Sequence, residues 1–141
     1  MILYLDTSDI VKLYVQEKNS EKIRGLVESC EVITTSIISY AETRAAFARI
    51  FREKGIHVKA YRQIIADLDS DWENYFGLNL SEDVVRSAGN LSEKYGLRGF
   101  DALHLASALF LKKSSSLTLI FSCSDNRLKK AAQSEGLETG L

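Results

Sequence analysis

The chain has 141 residues, 45% of them hydrophobic and 26% charged, which fits one globular domain over residues 1–141 able to bury a core without disulfide or metal staples. Its 18 basic and 19 acidic residues leave a net charge of −1, so no global field favours a polyanionic partner and any such contact needs a local patch. Cys30 and Cys123 stand far apart with no CxxC spacing, which argues against a zinc site or a disulfide framework and for two buried, reduced thiols.

Met1–Leu5 is a short apolar run expected to form a buried strand. The opening MILYLD is too short and too soon acidic for a secretory signal, and no apolar run is long enough to cross a bilayer; a cytoplasmic location and no membrane contact are expected. A helix is expected from about Ser8, a second over Ser20–Glu28, and a strand over Glu31–Thr34. Ser36–Lys54 reads as a long helix stopped by Gly55, followed by a helix over Val58–Tyr75 and a short strand over Phe76–Leu80. Ser81 caps a helix that runs to Tyr95 and stops at Gly96. Phe100–Lys113 reads as helix, Leu117–Phe121 as strand, Asn126–Glu135 as helix and Leu137–Thr139 as a last edge strand. The absence of proline suits so helical a chain. Strands alternating with helices predict an α/β fold, a parallel sheet covered by helices on both faces, with ligands beyond the carboxyl ends of the strands.

Four acids follow from that rule. Asp6 comes directly after the first strand and Asp125 shortly after LTLIF; Glu42 lies in the helix after EVIT, and Asp101 opens the helix after Gly99–Phe100. Each has a plain structural role open to it. Asp6 and Asp125 are good helix caps. Glu42 completes a capping box with Ser39 if the helix begins there, or lies on a solvated stripe with Arg49 and Glu53. Asp101 precedes Ala102–Leu111, apolar almost all round, where an acid is either a cap or a ligand. His104, one turn on, reads as a hydrogen-bonded core histidine, since imidazole suits zinc better than magnesium. Several carboxylates at one crevice repel each other, and a divalent cation such as magnesium is the natural compensation. Bound metal activates water for phosphodiester cleavage.

The blocks Leu5-Asp6-Thr7-Ser8, SIISYAE from Ser36 to Glu42, FDALHLASA from Phe100 to Ala108, and Ser124-Asp125 with Leu128 are together similar to the PIN-domain family and its VapC-type toxins of toxin–antitoxin pairs. The most specific of them is DALHLASA. The resemblance implies a three-layer, Rossmann-like PIN fold with a parallel sheet of about five strands. It implies a magnesium- or manganese-dependent endoribonuclease acting on RNA, often a homodimer, inhibited by a small antitoxin protein. Its acid positions fall on Asp6, Glu42, Asp101 and Asp125 as catalytic metal ligands. Thr7, Ser8 and Ser124 are expected to orient those ligands. Lys12, Arg44, Arg49, Arg98 and Arg127 are candidate holders of RNA phosphates. Two rivals remain open: a PIN-like module that binds RNA or protein without cutting, and a phosphotransfer domain using Asp6. The second is weakened by Ser8, where a haloacid-dehalogenase pattern needs an acid, and by the lack of a lysine at Cys123–Ser124.

Overall fold

A computed structural model describes residues 1–140. In chain order the elements are β1 (Ile2–Leu5), α1 (Thr7–Tyr14), α2 (Ser20–Ser29), β2 (Val32–Ser36), α3 (Ser39–Lys54), α4 (Val58–Trp72), β3 (Phe76–Leu78), α5 (Glu82–Tyr95), α6 (Gly99–Ser114), β4 (Leu119–Ser122), α7 (Asn126–Ser134) and β5 (Glu138–Thr139). The five strands form one sheet in the order β3-β2-β1-β4-β5, every pair parallel. The expected α/β architecture is therefore the one observed.

Alternation along β1 explains the layers. Ile2 and Tyr4 point to one face and pack with Leu105, Ala108, Leu128 and Ala132 of α6 and α7. Leu3 and Leu5 point to the other face and meet Ile10, Ile23, Phe47 and Leu68 of α1 to α4. A strand covered on both faces must be apolar throughout, as β1 is. Gly55 and Gly96 end α3 and α5 with φ of 61° and 66°, a region that side chains with a Cβ rarely enter.

Differences from the sequence expectations have local causes. β2 runs on to Ser36, because its hydroxyls are satisfied inside the sheet: Thr34 donates to the Phe76 carbonyl at 2.6 Å and Thr35 to that of Leu5 at 2.7 Å. Helix α3 consequently starts at Ser39 rather than Ser36, and no Ser39–Glu42 capping box forms, since the Ser39 hydroxyl pairs with Thr35 at 2.7 Å. Helix α4 ends at Trp72, and Tyr75 closes a turn on it. Cys123 is buried as expected, but Cys30 is only partly so; both are free thiols. Helix α6 is buried along one side, while Phe100 and Phe110 are exposed on the other. Among the described residues no helix is long and apolar enough to cross a membrane.

This packing predicts a contrast within α6. Leu105 is fully buried and Phe110 is 53% exposed. Leu105→Ala is expected to cost about 2–5 kcal/mol in urea unfolding, and Phe110→Ala less than about 1 kcal/mol.

Candidate active site

Successive strands are added on one side of β1 as far as β3 and then on the other side from β4, so the strand order switches between the parallel neighbours β1 and β4, which is where an open parallel sheet forms its ligand crevice. Asp6 follows β1 directly, and Asp125 follows β4 as the cap of α7. Glu42 lies in the first turn of α3 and Asp101 in the first turn of α6. All four line one cleft of about 980 Å³.

The capping and cleft roles coincide. Asp6 Oδ1 accepts from the Asp9 amide at 3.0 Å and from the Ser8 hydroxyl at 2.8 Å, and Asp125 Oδ1 accepts from the Leu128 amide at 2.9 Å. Each helix start thus fixes a carboxylate at the mouth of the sheet. Glu42 is held from the side: its Oε1 accepts from the Thr7 hydroxyl at 2.7 Å and lies 3.1 Å from His104 Nε2. His104 is 2% exposed, and its Nδ1 lies 2.8 Å from the Tyr4 hydroxyl. With the proton on Nε2 and Tyr4 donating to Nδ1, both ring nitrogens are satisfied. Burial drives the Tyr4 phenol far above its ordinary value, so it keeps the proton it donates.

The acids are electrostatically crowded. Burial, then the neighbouring Asp9 carboxylate, pushes the Asp6 carboxyl up to about 7. Burial, then Asp125, raises Asp101. Burial also works against ionised Glu42, but the hydrogen bonds from His104 and Thr7 outweigh it and hold Glu42 below its ordinary value. Burial, then Asp6 and Asp9, drives the Cys123 thiol far up, so it remains a thiol and not a nucleophile.

Asp9 was not anticipated. It is fully buried beside Asp6 and accepts hydrogen bonds from Ser122 at 2.6 Å and from Ser124, with the Lys12 ammonium 3.8 Å away. Ser124, expected to orient a ligand beside Asp125, donates to Asp9 instead and ties the β4–α7 connection to α1. No local pattern marks this contact, because its partners lie 113 and 115 positions apart. The cations also sort. Lys12, Arg49 and Arg98 line the cleft, joined by Arg52 and Lys54, which the sequence reading had not singled out. Arg44 instead donates to Tyr40 at 2.9 Å and Arg127 to the Gly96 carbonyl at 3.1 Å, and neither lines the cleft. Among the described residues no three Asp, Glu, His or Cys side chains converge tightly enough to hold a metal unaided.

A PIN domain family model matches residues 3–133. The chain belongs to the PIN-domain family. This PIN domain is 32% identical over 139 residues to "Ribonuclease VapC45" of Mycobacterium tuberculosis (strain CDC 1551 / Oshkosh), covering 96% of this chain and 92% of that protein. It is also 32% identical over 136 residues to "Ribonuclease VapC46" of Mycobacterium tuberculosis (strain ATCC 25618 / H37Rv), covering 96% and 93%. Among solved structures, FitAcB from Neisseria gonorrhoeae superposes with a TM-score of 0.70 at 21% identity, over 99% of this chain and 96% of that one. Mycobacterium tuberculosis VapC20, described as a sarcin-ricin loop cleaving toxin, superposes with a TM-score of 0.64 at 18% identity, over 92% and 94%. These superpositions establish the PIN fold.

A raised carboxyl stabilises the fold fully below its ordinary value of 3.8, and that contribution is lost as pH rises through about 7. Without divalent ions the contribution of Asp6 should therefore fall between roughly pH 4 and pH 7, by up to a few kcal/mol, read as the difference between wild type and Asp6→Asn. Asp6→Asn keeps a helix cap and should be more stable than wild type near pH 7 and no different near pH 4, by urea unfolding in EDTA.

Proposed function

We propose that this PIN domain is a magnesium- or manganese-dependent endoribonuclease, the toxin of a toxin–antitoxin pair. It works in the cytoplasm as a homodimer and is restrained by a small protein antitoxin. The observation that carries the reading is the gathering of Asp6, Glu42, Asp101 and Asp125 on one cleft rimmed by five cationic side chains. The ribonuclease names of relatives at 32% identity over 96% of the chain support it.

The donor set fits a hard cation. It offers only carboxylate oxygens, two of them on groups raised by burial and by acidic neighbours, so a positive ion would relieve several repulsions together. Since no three side chains converge unaided, an ion that keeps several of its waters suits the site better than zinc, which wants a closed tetrahedral shell. Asp6, Glu42, Asp101 and Asp125 would hold it, directly or through water. Such an ion supplies Lewis-acid polarisation of the phosphoryl oxygens and lowers the pKa of water.

The chain's own groups do the rest. Arg49, Arg52, Lys54 and Arg98 draw the phosphate backbone into the cleft, while the buried Lys12 ammonium faces Asp9 and Glu17. Thr7 and His104 keep Glu42 ionised and pointed, and the Ser8 hydroxyl orients Asp6. Ser124 acts at one remove, by anchoring the segment that carries Asp125 to Asp9.

Cleavage of a structured RNA with magnesium, and none in EDTA, is the expected result. Asp6→Asn and Asp101→Asn should each lower kcat at least about a hundredfold, and Thr7→Ala about tenfold to a hundredfold through misorientation of Glu42. Equal cleavage by wild type and both Asn variants would overturn the assignment.

A further inference from the structure

A second groove of about 610 Å³ opens beside Asp101, between α5 and α6. Val85, Ala88 and Gly89 of α5 line one side, and Phe100 and Leu103 of α6 the other. It shares Glu42, Arg98, Phe100 and Asp101 with the acidic cleft, so the two are continuous.

Two features of this groove serve no purpose inside the fold. Phe100 is 58% exposed and Val85 48% exposed, although both sit on helices with ample buried positions. Gly89 lies inside α5, where glycine is about 1 kcal/mol worse than alanine, yet a Cβ there would meet nothing within 4 Å. No neighbour requires glycine. Its effect is to leave a bare, exposed helix surface on the groove that Phe100 and Arg98 also line.

These parts match what holds an unpaired nucleobase: an aromatic platform, an apolar floor and an adjacent cation for the phosphate. The groove's volume lies in the range of small-ligand pockets, about 300–1,000 Å³. A stable protein partner would instead bury roughly 800 Å² on this chain. We propose that this groove seats an unpaired RNA base beside the scissile phosphate, stacked on Phe100 over Gly89, with its phosphate on Arg98. The proposal rests on the ribonuclease reading and adds to it a determinant of where RNA is cut.

The test is magnesium-dependent cleavage of an RNA stem-loop and of versions with one loop base removed at a time. For wild type, removing one base next to the cut should lower kcat/KM about tenfold, mostly through KM, and other positions should matter little. Phe100→Ala and Gly89→Leu, which remove the platform and fill the groove, should show the same loss on intact RNA and no further loss on the version lacking that base. Phe100→Trp should restore the wild-type value. Equal cleavage of all base-deleted RNAs by wild type, or losses from Phe100→Ala and from base removal that multiply, would overturn the groove alone. So would a fall in assembly mass for Phe100→Ala by sedimentation, which would make the groove a contact between copies. If wild type cuts no RNA with magnesium, the ribonuclease reading fails and the groove assignment fails with it.

Discussion

Carboxylates that share a partly buried cleft repel one another, and each would rather be protonated or dispersed than ionised and close. In this PIN domain the repulsion is visible in the groups themselves. Asp6 and Asp101 are both pushed up, by burial first and by acidic neighbours next. The surrounding structure works against that dispersal. Two helix starts hold Asp6 and Asp125 through backbone amides, and a chain of side chains holds Glu42. Keeping these acids together costs stability, and a bound cation would offset that cost.

The support reaches back into the core. Tyr4 stacks on Phe121 of the neighbouring strand with ring centroids 5.4 Å apart, and its hydroxyl positions His104. His104 in turn meets Glu42 and Thr7. The geometry of a cleft carboxylate therefore depends on a residue in the middle of the central strand. Asp9 plays the corresponding part across the β1–β4 seam. It gathers Ser122 and Ser124 onto α1, and its charge also raises the proton affinity of Asp6. One buried carboxylate both fixes the site and adds to its electrostatic tension.

Much of this was legible in the sequence where a local rule applied. Apolar runs followed by acids place Asp6 and Asp125 at strand ends, and glycine after a helical pattern marks the ends of α3 and α5. Asp101 stands out because the helix it opens is too apolar to carry an idle acid, although that helix proves bare on the side bearing Phe100 and Phe110. What was not legible depends on contacts distant in sequence. Ser36 reads as helix by pattern and becomes strand because β2 continues to pair with β3 as far as Leu78. Asp9 reads as an ordinary acid in a first helical turn, and only the folded chain brings Ser122 and Ser124 to it. Arg44 and Arg127 look as available as Arg49 and Arg98 until Tyr40 and the Gly96 carbonyl are seen to occupy them.

The central claim is that the four acids form a divalent-cation site, and manganese reports on it directly. Titrating the domain with Mn2+ and counting the free ion by electron paramagnetic resonance measures binding without reference to any RNA. The account predicts saturable binding by wild type, competed by magnesium and much weakened in Asp101→Asn. Binding that never saturates, or that is the same in wild type and Asp101→Asn, would contradict it.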